Sequence, residues 1–421
     1  MKRILLSAYQ CAPGAGSVSQ IGWEWYSRLA ASTHVTLATH VRNREALERA
    51  GAPLPNTEVI YIDTEWLAGP LYGLAKRLFP NSEHSVFLLS SLDFFAYDAA
   101  LVCEARQRMR TGAAWDVVHA VTPVSPSSFS RLPALGLPVV RGPLNGGLRT
   151  PSQFPELMKA DSAWLYSLRD LTRPLRALLG RRGAGNVILA ANKSTTSSLT
   201  RQERAVARPM MEIAVDPAQF VATPWPAAPT VDNPLRLVFV GRLIPAKALS
   251  LLFDAMIELK SEFPVHLTVI GDGPMRDTWE RHAAPLGNAV QFTGAQAAAF
   301  VASAIERSHA LCLPSVRESG GAVLLEAMSC GRPVIGIAHG GPGEIITPEV
   351  GWLVQPFNVR AVIEGLKDAL RDIFTHPAAW SQRGRRGREF AETSHSWDAR
   401  LSRIGEIYNE LAPLGADGSV R

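Results

Sequence analysis

Glu318 and Glu326 flank a double glycine in the stretch Pro314-Ser-Val-Arg-Glu-Ser-Gly-Gly-Ala-Val-Leu-Leu-Glu-Ala-Met328. A carboxylate is a poor ligand for phosphate but a good acceptor for paired sugar hydroxyls. The free amides at a helix start suit an anion, and glycine lets the backbone approach it closely. These residue types fit a sugar joined to phosphates. The backbone from Ser319 through Gly320, Gly321, Ala322 and Val323 would hold the phosphates, Glu326 would take a ribose and Glu318 a second sugar. Along a helix rising about 1.5 Å per residue, the two carboxylates stand roughly 8 Å apart in height, which matches the two ends of a nucleotide diphosphate. Taken alone, both could equally be solvated helix carboxylates.

Further candidates stand where strands end. Phe239-Val-Gly-Arg-Leu-Ile-Pro-Ala-Lys247 places Arg242 and Lys247 on a strand-end loop, in a chain with only 19% charged residues, which points to an anion nearby. Cys11-Ala-Pro-Gly-Ala-Gly-Ser17 follows a first strand and carries Gly14 and Gly16. Asp116-Val-Val-His119 closes a short strand on a histidine, and Val139-Val-Arg-Gly-Pro-Leu-Asn-Gly-Gly147 runs into a loop with Asn145, Gly146 and Gly147. His266-Leu-Thr-Val-Ile-Gly-Asp-Gly-Pro274 turns at Gly271 and Gly273. Ligands of parallel sheets gather beyond the carboxyl ends of the strands, so all these loops are site candidates. Asn145, Gly146 and Gly147 are read as acceptor or donor-sugar contacts. The plain alternatives are tight turns and a structural histidine. As a dinucleotide fingerprint the first loop fails, because no third glycine follows Gly14 and Gly16 at the required offset and no acidic residue closes the next strand.

The spacing Glu-x7-Glu, the trailing Glu-Ala-Met and the upstream Gly-Arg-Leu-Ile-Pro-Ala-Lys resemble the retaining glycosyltransferases of family four. The resemblance implies the GT-B fold: two Rossmann-like domains whose parallel sheets face an interdomain cleft. It implies that Arg242 and Lys247 bind the donor's diphosphate, and that the loop at Gly14 and Gly16 touches the diphosphate and sugar. Gly271 and Gly273 would lie near the nucleotide, and His119 would face the transferred sugar. Many family members continue His-x-His, whereas position 121 here is Val121. The resemblance makes His119, Glu318, Arg242 and Lys247 the catalytic set. It also implies a nucleoside-diphosphate sugar as donor substrate, no separate cofactor, and retention of the anomeric configuration.

The elements that position these residues follow from local pattern. Short apolar runs bounded by glycine and proline alternate with stretches of helical periodicity, which argues for parallel α/β construction. With 421 residues, two domains are expected. Residues 1–220 form the N-terminal acceptor domain, the proline-rich stretch 221–234 the linker and residues 235–395 the donor domain. Trp397, Leu401, Ile404 and Tyr408 at helical spacing predict a helix over 396–412, which the resemblance implies returns to the first domain.

Composition narrows the class. Hydrophobic residues at 47% with near-zero mean hydropathy indicate soluble globular domains. A net charge of +5 fits an anionic substrate, and without a dense basic stripe there is no reason to expect nucleic acid. Four scattered cysteines and the absence of a long apolar leader predict free thiols and a cytoplasmic protein. The stretch Arg169 to Arg182, rich in arginine and leucine, predicts a basic amphipathic helix and possible peripheral contact with anionic membrane at its inner face. No Asp-x-Asp occurs, so no metal is expected at the leaving diphosphate. The competing functions are a sugar-nucleotide epimerase or hydrolase on the same fold, and a catalytically silent nucleotide-sugar-binding protein.

Overall fold

The computed structural model describes residues 2–14, 17–78, 93–148, 151–155 and 186–413. They fold as two compact units. Unit 1 is drawn from Met1–Gly147, Trp164–Glu212 and Leu401–Arg421, and unit 2 from Leu148–Ala163 and Ile213–Arg400. Gly16 and the Arg169 to Arg182 stretch lie outside the described residues.

In unit 1, apolar runs form β1 (Arg3–Ala8), β2 (His34–His40), β3 (Thr57–Ile62), β4 (Val117–Thr122), β5 (Val139–Leu144) and β6 (Val187–Ala190), and Ala-Arg-Pro adds the short edge strand β7 (Ala207–Pro209). They lie in one sheet in the order β3-β2-β1-β4-β5-β6-β7, every neighbouring pair parallel. Leu6 of β1 stands between Leu37 of β2 and His119 of β4. Helices cover both faces of such a sheet, so its strands read as continuous apolar runs rather than alternating ones. Against it packs the helix Asp93–Arg110, whose Tyr97, Leu101 and Ala105 join Leu5, Val118 and Val139 in one core cluster.

Unit 2 repeats the plan with β8 (Leu235–Val240), β9 (Val265–Ile270), β10 (Val290–Phe292), β11 (Ala310–Leu313), β12 (Val334–Ile337) and β13 (Gly351–Val354). The order is β10-β9-β8-β11-β12-β13, again all parallel. Each sheet reverses its strand order beside its first strand, between β1 and β4 in unit 1 and between β8 and β11 in unit 2. Such a reversal opens the crevice in which open α/β sheets bind ligands. Among the described residues no helix is long and apolar enough to cross a membrane.

Residues 221–234, read from the sequence as a linker, are fastened along unit 2. The guanidinium of Arg332 is fully buried and donates to Thr223 O (2.9 Å), Thr223 Oγ1 (2.6 Å), Pro224 O (3.0 Å) and Glu306 O (2.6 Å). These carbonyls replace the water that a buried cation gives up. Trp225 Nε1 donates to His309 O (2.9 Å), and His309 Nε2 donates to Ala227 O (2.9 Å). In unit 1 the end of the helix Trp397–Leu411 is tied by Arg208, whose two terminal nitrogens donate to the carboxylate of Glu410 at 2.5 and 2.6 Å.

Candidate active site

Strands β8 and β11 are neighbours, with Leu237 opposite Ala310 and Val238 opposite Leu311. The loops leaving their carboxyl ends therefore emerge side by side at the switch point of unit 2. The first loop bends because Pro245 opens a single tight turn, Pro245–Lys247, and Ala248 closes it in the left-handed region at φ 45°. This turn aims Lys247 across to the second loop. There its Nζ donates to Glu318 Oε2, with the two side chains only 16% and 14% exposed. The N–H of Val316 also donates to Ala246 O (3.0 Å), so backbone and side chains join the same two loops. Arg242, at the start of the first loop, is exposed.

The helix Ala322–Ser329 starts at Gly321, which is left-handed at φ 82° and has no side chain with which to cap the amides that follow. Its first turn thus presents the uncapped N–H groups and positive dipole end that favour an anion. Glu326 lies further along, half-buried, with no hydrogen-bond or ion-pair partner among the described residues. Burial of its carboxyl without a cation pushes its pKa up to about 7. A partly enclosed carboxyl lacking a partner, on the helix that starts at the switch point, is a group able to accept hydrogen bonds from hydroxyls.

Glycines hold this frame by close approach. Gly340 is left-handed at φ 64°, and a Cβ there would fall 2.1 Å from Glu318 O. The N–H of Gly341 donates to that same oxygen at 2.9 Å. The Gly340-Gly341 loop therefore backs the Glu318 loop. Gly271 and Gly273 are read from the sequence as nucleotide contacts. They lie with their Cα atoms against the first loop, where Cβ atoms would come within 2.0 Å of Gly241 O and 2.5 Å of Leu243 O. Leu243 N–H donates to Asp272 O (2.9 Å) and Met275 N–H to Leu243 O (2.9 Å), completing the support behind Arg242.

The residues assigned in unit 1 are less available. His119, expected to face the transferred sugar, is fully buried. One ring nitrogen lies 2.6 Å from the Tyr408 hydroxyl and the other 2.6 Å from Gly142 O, while Trp25 packs edge-on at 5.1 Å. Desolvation lowers its pKa to about 4. The reading of His119 as a sugar-facing catalytic group is therefore corrected: both nitrogens are engaged inside the core, and the ring meets no solvent. Val121, where a second histidine would stand, is buried too. Asn145 donates from Nδ2 to Glu212, and its Oδ1 accepts from Asn192 at 3.4 Å. Gly146 exchanges hydrogen bonds with Thr195, its N–H donating at 3.1 Å and its oxygen accepting at 3.0 Å. At Gly147, left-handed at φ 75°, an added Cβ would lie 2.9 Å from Ser194 O. These three residues are stitched into unit 1 from behind. Gly14 is exposed and left-handed at φ 71°, and its N–H donates to Gln20 Oε1 (2.9 Å).

A polar knot that the sequence reading missed joins the carboxyl ends of β1, β2 and β3. The Tyr9 hydroxyl donates to buried Asp93, and Arg42 Nη2 donates to the other oxygen of Asp93 at 2.8 Å. Arg42 Nε reaches His40 Nδ1 (3.1 Å) and Glu65 (3.2 Å), which leaves His40 Nε2 to donate to Thr64 Oγ1 (2.9 Å). No local motif announces this group, since its members come from four separate stretches of chain. Among the described residues no three His, Cys, Asp or Glu side chains are grouped so that they could hold a metal ion.

Residues 225–387 match the family described as glycosyl transferases group 1. Over these residues the chain is similar to that family. The match covers Arg242, Lys247, Glu318 and Glu326, whereas His119 and Asn145 lie outside it. The chain is 30% identical over 187 residues to the GDP-mannose-dependent alpha-(1-6)-phosphatidylinositol monomannoside mannosyltransferase of Mycolicibacterium smegmatis, covering 42% of this chain and 48% of that one. The chain spans about half the length of the curated relatives it matches. Among solved structures it is similar to sucrose-phosphate synthase of Thermosynechococcus elongatus, with a TM-score of 0.63 and 19% identity over 98% of this chain and 99% of that one. It is also similar to HepE of Anabaena in complex with UDP, with a TM-score of 0.62 and 16% identity over 98% and 100% of the two chains. At those identities the likeness establishes the architecture alone: the chain has the GT-B fold.

Proposed function

We propose that the chain is a retaining, metal-independent glycosyltransferase that moves a sugar from a nucleoside-diphosphate sugar to a hydroxyl of a glycan, a lipid-linked glycan or a small molecule. The observation that carries the reading is the meeting of Lys247 and Glu318 at the switch point, beside the uncapped helix start at Gly321. A donor's diphosphate there is met by the amides from Ser319 to Val323 and by Arg242 and Lys247. Its ribose falls to Glu326, and the transferred sugar's hydroxyls to Glu318. The complexes of HepE with UDP and the GDP-mannose dependence of the mycobacterial relative support a sugar nucleotide as donor.

As the glycosidic bond breaks, negative charge grows on the diphosphate, where preorganised amides and two cations stabilise it without reorganising. That arrangement, and a sequence without Asp-x-Asp, support a leaving group handled by the protein alone. The departing phosphate oxygen then takes the acceptor's proton on the same face of the sugar, which retains the configuration. His119 does not enter this scheme. The sequence alone supports a lipid-linked acceptor, through the arginines of the 169–182 stretch.

Calorimetry on Arg242→Ala and Lys247→Ala tests the assignment: both should bind a nucleoside diphosphate at least tenfold more weakly, and undiminished affinity in both would remove it. Proton NMR of the first-formed product from an α-linked donor should show an α linkage in the presence of chelator. A β product, or complete loss of turnover restored by a divalent ion, would overturn the retaining or the metal-independent part respectively.

A further inference from the structure

We infer that the Lys247–Glu318 ion pair makes the donor site select the intact sugar nucleotide over the nucleoside diphosphate left after transfer, an inference that rests on the function proposed above. Without ligand, the cation meant for the diphosphate is already neutralised by the carboxylate meant for the sugar, and both side chains are largely shielded from water. Binding must therefore exchange partners. An intact donor supplies both halves of the exchange, phosphate oxygens for Lys247 and sugar hydroxyls for Glu318.

A nucleoside diphosphate supplies only the first. It draws Lys247 away and leaves Glu318 a shielded carboxylate without its donor, facing a second negative group. An ion that has lost its partner in a shielded place carries a penalty, and like charge adds to it. Glu318 O is held by the Gly341 N–H at 2.9 Å, and Val316 N–H is bonded to Ala246 O at 3.0 Å, so the backbone that carries the carboxylate stays beside Lys247. The sugar thus acts as the counter-ligand that makes opening the pair favourable. Once transfer removes it, the pair reforms and expels the product.

Titration calorimetry with UDP, UDP-glucose, GDP and GDP-mannose, on the wild type and on Glu318→Gln and Lys247→Met, tests this. In the wild type the preferred sugar nucleotide should bind at least tenfold more tightly than its own diphosphate. Glu318→Gln keeps the shape but removes the charge. It should bind the bare diphosphate about tenfold more tightly than the wild type, so that the ratio collapses towards one. Lys247→Met should weaken both ligands, because each loses the cation that meets its diphosphate. Intact binding with an unchanged ratio in Glu318→Gln would overturn the inference alone. Failure of every protein to bind any of the four compounds would overturn the proposed function and this inference together.

Discussion

The hydroxyl of Tyr408 lies 2.6 Å from Nδ1 of His119, across 289 positions of sequence. The other ring nitrogen, Nε2, faces Gly142 O, which can only accept a hydrogen bond. Nε2 therefore carries the proton, and Tyr408 donates to Nδ1. His119, expected from the sequence to close a strand and meet substrate, lies inside β4, which runs on to Thr122, and fastens the C-terminal helix to β4 and β5.

This assignment has a pH signature. The folded ring, with its pKa lowered to about 4, stays neutral where an unfolded histidine takes up a proton. Its contribution is whole above about pH 6.5 and is lost as pH falls towards 4, on the order of 3 kcal/mol in all. His309 and His395, also lowered to about 4 by burial, act in the same direction. Nitrogen-15 NMR at about pH 6 should show a neutral His119 ring protonated on Nε2, and a doubly protonated ring would contradict it. Tyr408→Phe should lower stability by about 1–3 kcal/mol, because Nδ1 is left buried without a donor.

Glu326 has the opposite sign. Its raised pKa means that the folded chain keeps a proton the unfolded chain has released, so its stabilising effect is present below about pH 4.5 and is lost as pH rises through about 7. Glu326→Gln should therefore unfold at a higher temperature than the wild type at about pH 8, by on the order of 1–3 kcal/mol, and equally at about pH 4. The same variant should bind the donor more weakly. Greater stability at high pH without loss of donor affinity would remove Glu326 from the ribose.

Gly340→Ala probes the frame without touching the proposed ligand contacts. Its left-handed backbone and the 2.1 Å approach to Glu318 O force the two loops apart. Donor affinity should fall at least tenfold. Gly405→Ala, where an added Cβ meets nothing within 4 Å, should leave it unchanged. Equal affinities in the two variants would show that the Glu318 loop does not need this backing.

Asn145 distinguishes an acceptor contact from a structural tie. Asn145→Asp would set a second carboxylate against Glu212, which accepts from Asn145 in the native structure. The variant should lose on the order of 1–3 kcal/mol at neutral pH and recover part of it in acid, as the new carboxyl is protonated. Denaturant melts at about pH 5 and pH 8 measure this. A variant of native stability with impaired transfer would return Asn145 to the acceptor.

The two-sheet α/β plan could be read from the residue string, as could the double-glycine helix start in unit 2. Each depends on short-range chemistry: apolar runs that suit strands, helical periodicity, and turn residues such as Gly321 and Pro245. Partnership could not be read in this way. Lys247 meets Glu318 because β8 and β11 are neighbours in a sheet whose order departs from chain order, and Arg332 fastens Thr223 and Pro224 from more than a hundred positions away. The knot of Tyr9, His40, Arg42 and Asp93 assembles only where three strands end together. His119 marks the boundary most sharply. Its place in an apolar strand is a property of the local sequence, but that the strand continues to Thr122 and that the ring turns to the core depend on the fold, which alone brings Tyr408 and Gly142 to its two nitrogens.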